Sequence, residues 1–170
     1  MDERTMRYAE ELARMIRCET VSAVGQSDYG KFYRFQEILK ELFPHIWAVC
    51  TAEVFHGSLL LHWASDHPEK APVLFMNHQD VVEASGSWEH GPFSGDIDGE
   101  KIWGRGTLDD KGGLWAMLRA ADELAAEGFF PECDIWFDEK PVPGDNNAGL
   151  RTYYINIIST MVLAAAMAEV

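Results

Sequence analysis

An α/β fold, with helices packed on a mixed, mostly parallel sheet, is predicted from three observations on this sequence. Amphipathic helical patterns recur along the chain. Short apolar runs rich in β-branched and aromatic residues stand between them. Turn residues separate the two kinds of segment, and strands that alternate with helices imply an α/β sandwich. With 170 residues, 47% of them apolar and 12% aromatic, the chain fits one globular domain with a real core.

The elements follow in order. Met6, Ala9, Leu12, Ala13 and Ile16 recur at helical spacing, which predicts a helix over residues 2–17. Residues 21–30 are polar and contain glycine, so they form a loop. Phe32, Phe35, Ile38, Leu39 and Leu42 predict a second helix over residues 31–43, ended by Pro44. Residues 46–54 and 58–63 read as strands joined by a His56-Gly57 turn. Residues 73–77 are a continuous apolar run, the pattern of a central strand buried on both faces. Residues 83–101 carry Gly86, Gly91, Pro92, Gly95 and Gly99 and form an irregular excursion, followed by a short strand over 101–104. Leu114, Met117, Leu118, Ala121, Leu124 and Ala125 predict a helix over 111–127, which Gly128 stops. A strand over 133–137, a linker over 138–150 rich in Pro, Gly, Asn and Asp, and a last, mostly apolar helix over 151–169 complete the chain.

Charge and cysteines narrow the class. A net charge of −14 disfavours nucleic acid and anionic membranes as partners. Cys18, Cys50 and Cys133 are odd in number, far apart and form no C-x-x-C, which argues against a disulfide framework or structural zinc and for a reduced, cytoplasmic setting. The charged start Met1-Asp2-Glu3-Arg4 is no signal peptide. The apolar stretch 153–168 is short for a membrane span and carries Asn156, Ser159 and Thr160, so it reads as a buried helix. No G-x-S-x-G occurs, and Gly104-Arg105-Gly106 lacks the rest of a nucleotide-binding loop.

Two motifs carry chemistry. The apolar run Leu74-Phe75-Met76-Asn77 ends in His78-Gln79-Asp80, and Gly104-Arg105-Gly106-Thr107-Leu108 ends in Asp109-Asp110 just before a helix. Alone, the first reads as a surface hydrogen bond and the second as a helix cap. Together, one in a strand end and one in a glycine turn, they read as a metal half-site. Imidazole and carboxylate suit zinc and similar ions, so His78 and Asp109 are the candidate metal ligands. Asp80, two residues on from His78, is placed to accept from its ring N–H and fix the tautomer. Asp109 has two oxygens with which to bridge two ions.

Four segments then carry a family resemblance: Asn77-His78-Gln79-Asp80-Val81-Val82; Trp88 with Gly91-Pro92-Phe93-Ser94-Gly95; Ile97-Asp98-Gly99-Glu100-Lys101-Ile102-Trp103-Gly104-Arg105-Gly106; and Asp109-Asp110-Lys111-Gly112-Gly113. From about residue 2 to Phe137 the chain resembles the zinc-dependent carboxypeptidase, dipeptidase and aminoacylase family, which includes glutamate carboxypeptidase, acetylornithine deacetylase and succinyl-diaminopimelate desuccinylase. The resemblance implies a three-layer catalytic domain like that of zinc aminopeptidases, with a mixed sheet between helices. It implies a cis peptide at Asp109–Asp110 and two zinc ions. His78 would bind one, Asp109 would bridge both and Asp80 would orient His78. It implies a dipeptide or N-acyl amino acid as substrate.

The family's Glu-Glu pair, a general base followed by a metal ligand, lies beyond the strand that here is 134–137. This sequence has Asp138-Glu139-Lys140-Pro141 there, and no histidine follows His90. Glu139, or Asp138, is the candidate stand-in for the base. The family's lid and dimerisation domain is also absent. The chain reads as residues 1–137 of the catalytic domain, a linker at 138–150 and the family's closing helix at 151–170, with the middle missing. Such a chain is expected to hydrolyse slowly or to act only as a structural or interaction unit. Uncovered apolar surface around Phe129, Phe130, Trp136 and Phe137 would favour homo-oligomers.

Overall fold

A computed structural model of the chain describes residues 2–23 and 25–140. Helix α1 (Glu3–Arg17) begins at Asp2, whose Oδ1 accepts from Thr5 N–H at 2.7 Å, a cap that satisfies one of the free donors of the first turn. Of its predicted stripe, Ala9, Leu12, Ala13 and Ile16 are buried, Met6 in the first turn is exposed, and Met15, outside the predicted set, is buried with them. Helix α2 (Gly30–Leu42) buries Phe32, Phe35, Gln36 and Leu39.

Residues 46–49, expected as the start of a strand, belong to a short helix α3 (Pro44–Val49). Pro44 ends α2 and opens α3, where its fixed φ and missing N–H cost nothing. Asp122, from the far helix, accepts from His45 N–H at 2.7 Å and Ile46 N–H at 3.0 Å, so α3 is capped from 76 residues away. No local pattern announces such a cap.

Strand β1 (Thr51–Phe55) and strand β2 (Ser58–Trp63) form the expected hairpin, with His56 at φ 47° and Gly57 at φ 82° in the turn. Strand β3 (Val73–His78) follows. Strand β5 (Lys101–Trp103) falls on the short strand expected over 101–104, and it pairs as a small separate ribbon with strand β4 (Asp96–Asp98), which lies inside the stretch expected to be irregular. Helix α4 (Lys111–Ala126) and strand β6 (Ile135–Lys140) end the described chain. The strand runs to Lys140, three residues into the stretch expected as linker, while the helix expected at 151–169 lies outside the described residues.

The class is α/β with a mixed sheet. Its order is β1-β2-β6-β3. Two expectations about that sheet are corrected. Of its three pairings two are antiparallel and one is parallel, so the described strands are not mostly parallel. Strand β3 is not central: among the described strands it lies at an edge and is half-buried throughout, and β6 lies inside. An apolar run reports burial of a strand's faces and says nothing about which of its edges is paired.

One face of the sheet meets the helices. Leu59, Leu61 and Trp63 of β2 and Phe137 of β6 join Met15, Phe35, Leu39, Phe43, Ile46, Leu114 and Leu118 in one core. Phe137, expected among the uncovered apolar residues, is 3% exposed and belongs to this core, whereas Phe129 and Phe130 are exposed. Described residues therefore supply a sheet and one helical layer, two of the three layers expected. None of their helices is long and apolar enough to cross a membrane.

Candidate metal site at the end of strand β3

His78 is the last residue of β3, the position where a parallel strand delivers side chains to the sheet's carboxyl end. Asp109 arrives from the glycine turn that precedes α4. The two meet: His78 Nε2 lies 3.0 Å from Asp109 Oδ1. Thirty-one residues separate them in sequence. The site's other side is Asp80. His78 Nδ1 lies 3.0 Å from the Asp80 carbonyl oxygen and 3.3 Å from its carboxylate Oδ1. The better hydrogen bond runs to the carbonyl, with the carboxylate close by as a charge. Either acceptor holds the proton on Nδ1 and turns Nε2 toward Asp109.

The environments of the two carboxylates differ. Asp80 is 6% exposed, and its Oδ2 accepts from the Ser22 hydroxyl. The Asp109 side chain is 91% exposed. Set between them, His78 has its pKa raised to about 9. The Asp80 carboxylate is the largest cause, burial opposes it, and Asp109 adds to it. Asp110, next in the chain, has its carboxyl pushed up, first by burial.

Backbone contacts fix both motifs. The segment after β3 is clamped to the loop after α1: Val81 N–H donates to Thr20 O and Ser22 N–H to Val81 O, both at 3.0 Å, and the Thr20 hydroxyl donates to Gln79 O at 2.6 Å. The glycine turn is held by Lys111. Its ammonium, fully buried, donates to Met15 O at 3.0 Å and Cys18 O at 2.7 Å, carbonyls at the carboxyl end of α1. Burial pushes the Lys111 pKa down to about 8. The Asp109–Asp110 peptide is cis, as expected. Gly112 is required on steric grounds, since a Cβ there would lie 2.3 Å from the Thr107 carbonyl oxygen. Gly106 is required twice over, by φ 91° and by Val81 Cγ1 at 2.7 Å from a Cβ.

The predicted residues His78, Asp80 and Asp109 thus come together. Two donor atoms 3.0 Å apart can each lie ~2.0–2.1 Å from one zinc-sized ion, so this pair fits part of a coordination sphere. Among the described residues no group of three or more His, Cys, Asp or Glu side chains is gathered for an ion. The backbone of Glu139 stands opposite Asn77 in the parallel ladder, one level below His78. Sequence reasoning missed Ser22 and Lys111 as supports. Both act on partners far off in the chain, and neither sits in a motif that names its partner.

Residues 74–137 match the pattern of Peptidase family M20/M25/M40. The chain is 35% identical over 151 residues to a probable carboxypeptidase S-like 2 of Dictyostelium discoideum, covering 82% of this chain and 29% of that protein. It is 31% identical over 163 residues to the mouse (Mus musculus) N-fatty-acyl-amino acid synthase/hydrolase PM20D1, covering 86% and 31%. Among solved structures, an M20 family metallo-carboxypeptidase from Sulfolobus solfataricus superposes with a TM-score of 0.63 at 23% identity, over 88% of this chain and 32% of that one. This last likeness shows the fold. The chain spans less than a third of the length of each of these proteins.

Proposed function

We propose, from the premise that this chain belongs to Peptidase family M20/M25/M40, that it carries the metal-holding strand and turn of a hydrolase for the amide bond of a dipeptide or an N-acyl amino acid. The observation that carries the reading is His78 Nε2 at 3.0 Å from Asp109 Oδ1, with Nδ1 engaged by Asp80. His78 and Asp109 would hold zinc, Asp109 between two ions, and Asp80 would keep the imidazole in the tautomer that frees Nε2. Zinc bound there would supply an activated water and a Lewis acid for the carbonyl. Glu139 would carry the proton between water and leaving amine, from a backbone position at the end of β6 beside Asn77. A carboxypeptidase-like relative supports the peptide substrate and an N-fatty-acyl-amino acid hydrolase supports the acyl one. A reduced, cytoplasmic setting goes with this reading, since Cys18, Cys50 and Cys133 are all free. So does self-association through the exposed Phe129 and Phe130, which sedimentation at low micromolar concentration would detect.

The test is zinc content of the purified chain, with turnover of a dipeptide and of an N-acetyl amino acid, in the native sequence and in His78→Ala, Asp109→Ala and Glu139→Gln. Retained zinc and slow turnover, both lost in the first two variants and turnover alone in the third, are expected. Turnover that ignores all three substitutions would refute the assignment. One observation favours a second reading, a folded unit without catalysis: the described residues gather no three-ligand group. Neither zinc nor turnover in the native chain would select it.

A further inference from the structure

The chain is strongly acidic, with 28 Asp and Glu against 14 Lys and Arg, yet its cations are not spread evenly. A cavity of about 380 Å³, sharing no lining residue with the candidate site, is walled by Arg14, Arg17, Lys31 and Arg34, with Glu19 as its one carboxylate.

Two helices build this wall. Arg14 and Arg17 stand in the last turn of α1, where cations suit the negative end of the helix dipole, so their placement needs no ligand to explain it. Lys31 is different. It stands in the first turn of α2, at the positive end of the dipole, and Arg34 follows one turn on. That first turn carries no acidic residue, and Tyr29 at its cap makes no side-chain hydrogen bond. Asp28 accepts from Gly30 N–H at 2.9 Å but does not line the cavity. Cations placed where helices ordinarily carry carboxylates concentrate positive charge that an anion from outside would relieve.

The partners of the four cations show how much of that charge is neutralised. Arg14 is paired with Glu41. Arg17 donates to the carbonyls of Ser94 at 3.1 Å and Gly95 at 3.2 Å, and its Nη1 reaches Glu10 at 3.4 Å. Lys31 Nζ donates to the Val21 carbonyl, a neutral acceptor. Arg34 is exposed and has no ion pair or hydrogen bond among the described residues. Lys31 and Arg34 therefore keep their charge, and Arg17 is held in place chiefly by carbonyls. The Cys18 thiol, half-buried in the same wall, reports the field: burial pushes its pKa up, while Lys111 and Arg34 pull against the rise.

Charge and shape select the ligand. Guanidinium forks match pairs of phosphate oxygens, and a phosphate monoester carries about −1.5 to −2 charge at pH 7 on three strong acceptors, more than one carboxylate supplies. Cations on two helices face one cavity, so a ligand with two linked phosphate groups can engage both. The volume lies within the usual range for small-molecule sites, roughly 300–1,000 Å³.

We propose that this cavity is a binding site for a small anion bearing a diphosphate group, held by Lys31 and Arg34 from α2 and by Arg17 from α1. Nothing in it depends on a bound metal or on an amide substrate, so it stands apart from the hydrolase reading.

The experiment is titration calorimetry of the full, metal-free chain with inorganic pyrophosphate, orthophosphate, citrate and adenosine diphosphate. Pyrophosphate is expected to bind at one equivalent, roughly tenfold or more tighter than orthophosphate or citrate, and to weaken with added salt. Adenosine diphosphate binding as tightly would identify a phosphate ester as the source, and its failure to bind would identify the free anion; both results uphold the diphosphate site. Arg34→Gln removes an exposed residue that holds nothing else, so it is the decisive variant, and it should weaken pyrophosphate about tenfold. Lys31→Gln should do the same, although Lys31 also holds Val21. Lys70→Gln, which removes the same charge from an exposed residue elsewhere, should change affinity less than about twofold. Bound pyrophosphate should also slow alkylation of Cys18 by iodoacetamide severalfold and leave Cys133 unchanged, read by peptide mass spectrometry. No binding of pyrophosphate, equal affinity for citrate or orthophosphate, an unchanged Arg34→Gln, an equal loss in Lys70→Gln, or equal protection of Cys18 and Cys133 would each overturn the proposal.

Discussion

His78 is held between a buried carboxylate and an exposed one, and the two have different work to do. Asp80 is fixed by Ser22 and by burial, so it sets the ring's orientation. Asp80→Asn keeps the size and loses the charge, and by analogy with other imidazole-orienting carboxylates it should weaken zinc binding about 10–100-fold, measured by competition with a chelating dye. Without metal, His78 has a folded pKa of about 9 against an ordinary 6.5. A raised pKa stabilises the fold fully below 6.5, and that contribution is lost as pH climbs from 6.5 through 9. Urea midpoints of the metal-free chain should therefore fall across that window, and fall less in His78→Gln. A wild type and variant that run parallel from pH 6 to 9.5 would show that His78 is not protonated between its carboxylates. Lys111, whose depressed pKa acts in the opposite sense above about 8, is present in both proteins and cancels from the comparison.

At the scale of elements, α3 shows what the sequence could and could not disclose. Its residues 46–49 carry Ile, Trp and Val, and their composition argues for a strand. Asp122 decides otherwise by accepting from His45 and Ile46 while its other oxygen accepts from Arg119 Nη1 at 3.0 Å. A cap supplied from another helix is invisible to any local window. Asp122→Ala should cost about 2–4 kcal/mol in urea unfolding, because it removes a cap and leaves Arg119 without one of its buried partners. Asp122→Asn, which keeps an acceptor, should cost less. Helices α1, α2 and α4 were legible because their apolar spacing is strong and the helical face they bury is continuous. The hairpin was legible from His56-Gly57. Strand order was not: β6 sits between β2 and β3 because Leu61 and Phe75 both align with Phe137, a pairing that joins residues more than 60 apart. The site followed the same division. His78, Asp80 and Asp109 lie in motifs whose context could be read, whereas Ser22 and Lys111 support them through contacts with partners 58 to 96 residues off.

In the whole molecule, the candidate site is where three separate parts of the fold are fastened together. Strand β3 brings His78, the loop after α1 clamps the residues behind it, and the buried Lys111 ties the Asp109 turn to the end of α1. An ion held by His78 and Asp109 would therefore join strand and turn, and its binding would be felt as stability of the entire cooperative unit. The size follows from linkage. Free zinc at a hundred times its dissociation constant adds about 2.7 kcal/mol if the unfolded chain does not bind it. For a chain of this length that corresponds to a rise of roughly 5–10 °C in the unfolding midpoint. Thermal unfolding of the chelator-treated chain with and without zinc should show this rise in the native sequence, a smaller one in Asp80→Asn, and none in His78→Ala or Asp109→Ala. Magnesium should do less, since imidazole is a poor ligand for it. A native chain whose midpoint ignores zinc, while both alanine variants fold, would mean that the two side chains meet only as an ion pair and that the fold has no metal to hold.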